Sequence, residues 1–383
     1  MDRNNIHNSS STSLIADRHI QFMHRALELA EKARGKTSPN PLVGAVVVRG
    51  GKVVGEGFHT RAGKPHAEIE ALKKAGLKAR TADLYINLEP CCYFGRTPPC
   101  TEAIIQAGIK RVFVGMKDPN PKVSGKGFRF LRAKGISVVS NILKDECLKL
   151  NESFLKVMKT GMPYVILKSA MSLDGKIAAN SGDSKWISGK LARRHVHNIR
   201  SYVDAIVVGT ETVIKDNPDL TCRLGNKSIK NPVRIILDRR NRIPLSVNVF
   251  KNGLSQRIIC VAGSDVSKAR QKSLAQKGIE VLKSPSGKNG FKIKPLLQKL
   301  ARKEINSILL EGGSELSASF LKANAVDRVI IFLSPILLGG SQAVGLIGGK
   351  GVMKVDQGIR LENFEVSKLG EDLMVEGTIC LAE

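Results

Sequence analysis

The chain has 383 residues, a formal net charge of +27 and only 4% aromatic residues. That length favours two domains over one, and no apolar run is long enough to span a bilayer, which argues against a membrane protein of the helical kind. The lysines and arginines are spread along the chain without interleaved aromatics, which argues against a dedicated nucleic-acid groove.

Residues 1–17 are polar, rich in Asn and Ser, and read as a flexible tail without the apolar stretch of a secretory signal. Ile20, Met23, Leu27 and Ala30 predict a helix over 19–34, closed by Gly35 and the turn Ser38-Pro39-Asn40-Pro41. A β-branched run at 43–48, the pair Gly50-Gly51 and the stretch 52–58 predict a hairpin. A helix over 66–74 opens after Pro65. A strand over 82–88 leads into a cysteine-bearing loop. Helix 101–108, strand 111–116, helix 127–134 and strand 136–139 follow. Residues 147–162 are mixed and largely charged, ending near Gly161-Met162-Pro163. They are expected to link a first domain over 18–146 to a second over 163–383. In the second, strands are expected at 164–168, 205–208, 234–237, 257–262, 307–310 and 329–333. Helices alternating with short apolar strands imply an α/β class with parallel pairings.

Seven cysteines is an odd count, with three crowded at Cys91, Cys92 and Cys100. A disulfide framework would space and pair them. A reducing cytoplasm and a thiolate-held metal fit better. His66, with two of these cysteines, can hold zinc and leave a fourth position for water. Zinc needs a neutral imidazole and deprotonated thiols, and water bound to it ionises near neutral pH. Adjacent side chains diverge, so Cys91 and Cys92 should not both be ligands. Glu68, two residues past the histidine, can pass a proton from water to a ring nitrogen and a leaving amine. The set is similar to the zinc-deaminase pattern H-x-E…P-C-x-x-C, with a longer gap between the thiols. Asn40 in its Pro-x-Pro turn serves either turn chemistry or the reading of a pyrimidine edge. Downstream, Leu309-Leu310-Glu311-Gly312-Gly313-Ser314-Glu315-Leu316 reads as a strand, a glycine pair and a helix start, whose bare amides suit a phosphate.

Longer strings sharpen both halves. Pro39-Asn40-Pro41-Leu42-Val43-Gly44, Arg61-Ala62-Gly63-Lys64-Pro65-His66-Ala67-Glu68, the loop from Glu89 to Cys100 and Asp118-Pro119-Asn120-Pro121 resemble the riboflavin-biosynthesis bifunctional deaminase/reductase family. So do the strings 168–176, 183–188, 209–212 and 216–223. The resemblance covers about residues 18 to 383. It implies a cytidine-deaminase-like α/β/α domain followed by a dihydrofolate-reductase-like α/β domain. It also implies zinc on His66, Cys91 and Cys100, Glu68 as proton shuttle, and Asn40 on the substrate. In the second half it implies NADPH contacts at Ala170, Trp186, Thr212, Asp216, Gly313, Ser314, Glu315, Leu316, Ser317, Ala318 and Ser319. Ser184, Arg200, Leu220, Arg223 and Glu311 would meet the substrate.

The residue types suit these roles. Arg200 and Arg223 are expected to grip a ribose phosphate, and Trp186 to lie flat beside a nicotinamide. Arg239, at a position usually small and polar in the family, is expected near the cofactor's 2′-phosphate. Cys92-Tyr93 stands where the family usually has Ser-His, which leaves that histidine's substrate contact to be supplied otherwise. The implied reactions are deamination of 2,5-diamino-6-ribosylamino-4(3H)-pyrimidinone 5′-phosphate and reduction of the ribosyl chain by NADPH. The expected partner is therefore a small phosphorylated pyrimidine, with no specific nucleic acid or membrane, and with self-association left open. Rival readings are one activity with a degenerate second half, or an RNA base deaminase. The latter predicts a compact P-C-x-x-C and clustered basic residues, and neither is present.

Overall fold

The computed structural model describes residues 8–94, 98–225, 230–287 and 290–379, with side chains from Asp17 onward. It forms two compact units, one up to Thr160 and one from Gly161.

The first unit runs α1 (Asn8–Glu31), β1 (Gly44–Arg49), β2 (Lys52–Phe58), α2 (Ala67–Ala75), β3 (Asp83–Leu88), α3 (Cys100–Gln106), β4 (Arg111–Met116), α4 (Lys126–Ala133), β5 (Ser137–Ser140), α5 (Lys144–Leu150) and α6 (Glu152–Thr160). Its sheet has the order β2-β1-β3-β4-β5. β1 is antiparallel to β2 and β3, whereas β3, β4 and β5 are parallel. Gly50 and Gly51 turn the hairpin at φ 58° and 74°, the double left-handed turn that suits strand twist.

Glycines bring two helices unusually close to this hairpin. A Cβ on Gly44 would sit 2.0 Å from the Ala26 carbonyl of α1. One on Gly55 or Gly57 would sit 2.3 or 2.4 Å from the Ala71 or Ala67 carbonyl of α2. The facing alanines are fully buried. Any side chain at Gly55 or Gly57 would lift α2, and with it His66 and Glu68.

Two boundaries and one core position differ from expectation. α1 starts at Asn8, so the expected tail is helical over 8–17; extending an existing helix costs little beyond its nucleus. Residues 1–7 of that tail lie outside the described residues. Its core stripe is Met23, Ala26 and Ala30, and Ile20 is exposed instead. The expected linker is α6 and the end of α5, packed into the first unit. Its charges face solvent, while Cys147 and Asn151 are buried.

The second unit runs β6 (Tyr164–Ser172), α7 (Lys190–Tyr202), β7 (Ala205–Gly209), α8 (Thr210–Asp216), β8 (Val233–Leu237), β9 (Ile258–Ala262), α9 (Lys268–Gln276), β10 (Ile279–Lys283), β11 (Ser286–Gly287), β12 (Gly290–Phe291), α10 (Ile293–Ala301), β13 (Ser307–Leu310), α11 (Ser314–Lys322), β14 (Arg328–Ser334), β15 (Leu361–Leu369) and β16 (Asp372–Ile379). The main sheet has the order β10-β9-β8-β7-β13-β6-β14-β16-β15. The first seven are mutually parallel, and β16 pairs antiparallel with both β14 and β15. Separate cores cover its two faces, one around Val196 and Ile199 of α7, the other around Leu296, Leu300 and Phe320 of α10 and α11. A parallel sheet needs both faces covered. It also brings the carboxyl ends of β6, β7, β8 and β13 to one edge, where open α/β sheets bind ligands.

Candidate active sites

The first unit contains a cavity of about 530 Å³. His66 caps α2 immediately after Pro65, and Cys100 opens α3 after Pro98-Pro99. Cys91 lies in the loop after β3 and accepts from the Cys100 amide at 3.3 Å. His66 Nδ1 is 3.2 Å from Cys100 Sγ and 3.7 Å from Cys91 Sγ. The three ligand atoms lie within 4.8 Å of one another, and Cys92 is not among them. Cys91 is held well below the ordinary thiol range, first by its hydrogen bond from Cys100. Cys100, its partner, moves up correspondingly. One imidazole and two thiols from three chain segments form a donor set that fits zinc with one position left open.

Glu68, on the first turn of α2, is 3% exposed and lines the same cavity. Burial first, and the neighbouring Cys91 charge second, push its carboxyl up to about 7. Asn40 lines the same cavity. Its Nδ2 is 3.0 Å from His59 Nε2, and His59 Nδ1 is 3.1 Å from the Pro65 carbonyl. The carbonyl accepts only from an Nδ1–H, so Nε2 accepts from Asn40. That leaves the Asn40 Oδ1 available to the cavity. The turn itself is clamped from behind. Asn151 Oδ1 accepts from Leu42 N at 2.8 Å, and the Leu42 carbonyl accepts from both Asn151 Nδ2 and Asn87 Nδ2.

The sequence reading missed several residues here. His59, Tyr93, Asp118, Asn120 and Lys122 line the cavity, and so do Phe154 and Met158 of α6. Buried Glu89 accepts from the amides of Gly125 at 2.9 Å, Asp118 at 3.2 Å and Phe128 at 3.3 Å. The motif strings contained several of these residues; α6 had no such signal.

In the second unit two cavities of about 550 and 570 Å³ share Ser184, Thr212, Asp216 and Gly313 on their walls. The first of them also takes Arg239, Arg240, Ser314, Glu315, Leu316 and Ser319. The second takes Lys168, Ala170, Trp186, Arg200, Leu220, Arg223 and Glu311. Gly313 has an ordinary φ of −71°, and a Cβ there would meet only Thr212 Oγ1, at 3.9 Å. Neither backbone nor neighbours demand glycine, so the bare position leaves room for a ligand against the start of α11. That fits a dinucleotide phosphate.

Several expected roles change. Ser317 and Ala318 do not line either cavity: Ser317 is buried and its hydroxyl donates back to the Gly313 carbonyl at 3.2 Å. Only part of a helix's first turns can face one cavity. Arg200 does not offer a free fork to a phosphate. Its Nε and Nη2 donate to the two Glu311 oxygens at 2.8 and 2.9 Å, and Nη1 donates to the Thr221 carbonyl. A buried carboxylate needs such a partner. Arg223 remains exposed, 3.3 Å from Asp219. Trp186 is 70% exposed, with the Arg193 guanidinium 4.5 Å over its ring. Arg239 donates to the Gly287 carbonyl at 2.9 Å, and its neighbour Arg240 stands on the same wall.

Lys168, a charge inside the apolar strand β6, was the overlooked signal. Its Nζ is 3.8 Å from Glu311. Burial lowers its pKa, and Glu311 partly restores it. Burial would raise Glu311, but Arg200 and Lys168 outweigh that and hold it at about 2.

Two family models match the chain. One is described as the cytidine and deoxycytidylate deaminase zinc-binding region and matches residues 16–116; the other is the RibD C-terminal domain and matches residues 163–375. The riboflavin biosynthesis protein RibD of Aquifex aeolicus is 44% identical, over 92% of this chain and 96% of the relative. That of Actinobacillus pleuropneumoniae is 42% identical, over 93% and 94%. Among solved structures, Acinetobacter baumannii RibD superposes with a TM-score of 0.87 at 38% identity, covering 96% of this chain and 100% of the other. A Thermotoga maritima structure titled diaminohydroxyphosphoribosylaminopyrimidine deaminase/5-amino-6-(5-phosphoribosylamino)uracil reductase superposes at 0.83 with 39% identity, covering 95% and 99%.

Proposed function

The chain belongs to the RibD family, joining a deaminase and a reductase of riboflavin biosynthesis in one polypeptide, and we propose that both units act in turn on one phosphorylated pyrimidine. The first substrate is 2,5-diamino-6-ribosylamino-4(3H)-pyrimidinone 5′-phosphate, and the final product is 5-amino-6-(5-phosphoribitylamino)uracil. The observation that carries this reading is the convergence of His66, Cys91 and Cys100 beside the buried carboxyl of Glu68.

His66, Cys91 and Cys100 would hold one zinc ion. When bound, zinc supplies Lewis acidity and lowers the pKa of water. Glu68 takes a proton from water and gives it to the ring nitrogen beside the amino-bearing carbon, then carries the proton of the newly added hydroxyl to the departing amine as the carbonyl forms. A carboxyl near pKa 7 is suited to both halves of that transfer. Asn40, its amide fixed by His59, orients the ring edge. Water is consumed and ammonia leaves, so an amine becomes a carbonyl.

In the second unit Thr212, Asp216, Gly313, Ser314 and Ser319 would contact NADPH, with Ala170 and Trp186 towards its nicotinamide. Arg239 and Arg240 would face its 2′-phosphate. NADPH supplies the hydride. Lys168, held by Glu311, gives a proton to the ribose ring oxygen as the sugar opens. Arg223 takes the substrate phosphate, with Ser184 and Leu220 along the same wall.

The surface supports a second copy of this chain as a partner. Phe364 and Val366 on edge strand β15 are more than half exposed, and Met353 and Val355 before it almost wholly. Exposed apolar side chains on and before an edge strand favour pairing with another chain, and sedimentation would test it. No helix among the described residues is long and apolar enough to cross a membrane. Free thiols at the six described cysteines support a reducing, cytoplasmic setting. Metal analysis, with ammonia release and NADPH oxidation on the named substrate, tests the whole reading.

A further inference from the structure

We propose that Lys122, seated on Tyr93, holds the phosphate of the substrate in the first cavity, an inference resting on the deaminase reading of that site. The reacting end of the cavity is its floor, set by buried Glu68 and partly buried His66. A substrate whose amino-bearing carbon meets that floor extends its ribosyl phosphate towards the mouth. A phosphate dianion there needs a cation. Among the described residues lining this cavity the lysines and arginines are Lys64 and Lys122, both exposed at the rim. Neither forms an ion pair with a described residue, so neither charge is already spent.

Lys122 is the better organised of the two. Its ammonium lies 5.9 Å from the centre of the Tyr93 ring, within the range of a cation–π contact. Its main chain is fixed by consecutive side-chain turns. Asp118 Oδ1 accepts from Asn120 N at 2.8 Å, and Asn120 Oδ1 accepts from Lys122 N at 3.0 Å. Ring, loop and ammonium thus form one assembly, which reduces the ordering cost of binding. The ring is therefore a positioning residue for the lysine, two residues from the ligand Cys91.

The test measures ammonia release by the full chain with two compounds, the ribosylaminopyrimidinone 5′-phosphate and its dephosphorylated form. Lys122→Ala should raise KM for the phosphorylated compound about tenfold or more, while moving the dephosphorylated compound by less than roughly twofold. Lys122→Arg, which keeps the charge, should recover most of the loss. Tyr93→Leu, which removes the seat and keeps the ammonium, should raise the same KM by a smaller factor. Zinc content and NADPH oxidation on the deaminated substrate monitor folding. An unchanged KM in Lys122→Ala, or an equal loss on both compounds, overturns the assignment. A wild-type chain that releases no ammonia from either compound overturns the deaminase reading itself, and the inference with it.

Discussion

Asn151 binds both main-chain polar groups of Leu42 across 109 positions of sequence, through Oδ1 at 2.8 Å and Nδ2 at 3.0 Å. It thereby ties the α5–α6 junction to the turn that carries Asn40. Replacing it by Ala leaves the buried Leu42 N–H without an acceptor, at a cost of roughly 1–3 kcal/mol. Asn151→Ala should therefore lower the thermal midpoint of the first unit and slow ammonia release. NADPH oxidation on the deaminated substrate should stay at the wild-type rate. Calorimetry with both assays checks this, and an undisturbed deaminase would remove Asn151 from any positioning role.

Glu68→Gln preserves shape and removes the proton shuttle. Ammonia release should fall by about two orders of magnitude or more, with zinc content and NADPH oxidation unchanged. Cys100→Ser should instead lose zinc. Elemental analysis of the two variants separates the roles, and stoichiometric zinc in the serine variant would contradict the ligand set.

Glu311 gives a pH signature. Its carboxyl titrates at about 2 in the folded chain against an ordinary 4.5. The folded state thus binds fewer protons, and the stabilisation is complete above the unfolded value. It is lost as pH falls from about 5 towards 2. The shift corresponds to roughly 3 kcal/mol at neutral pH. Glu311→Gln should be less stable than wild type near pH 7, and the gap should close towards pH 2. Denaturant titrations across that range decide it; a gap independent of pH would mean that packing, not charge, is responsible.

Gly313→Val should weaken NADPH binding without affecting deamination, because a side chain would enter the space left open above Thr212. Arg239→Ala should weaken NADPH more than NADH, since only NADPH carries the extra phosphate. Fluorescence titration of both cofactors checks both variants. Equal losses for NADPH and NADH in Arg239→Ala would remove that residue from the 2′-phosphate site.

Much of this was legible in the residues, for physical reasons. The strands of the first unit are short apolar runs, the hairpin among them turned by Gly50-Gly51, and most were read to within a residue or two. The three residues that the structure brings together as a possible metal site were legible because few residue types hold zinc. What escaped was set by tertiary context. α6 looks like a linker because its face towards the cavity is only Phe154 and Met158 among charges. β15 is exposed along almost its whole length, so no inside–outside alternation marks it. The pairing of Arg200 with Glu311 joins positions 111 apart, and local pattern carries no trace of it. A still longer separation in sequence hid the part played by Lys168, although a lone charge in a buried strand was visible.

Glu89 has a consequence for how this site tolerates change. One carboxylate takes three amides, from Asp118, Gly125 and Phe128, and sits two residues before Cys91. The loop that bears Cys91 and the loop that bears Lys122 are thereby fastened at one point. Substitutions in the two loops should not behave as independent events. A double-mutant cycle between them should show a coupling energy where separate loops would show simple addition. Divergence of this cavity towards another substrate would then have to proceed by paired changes.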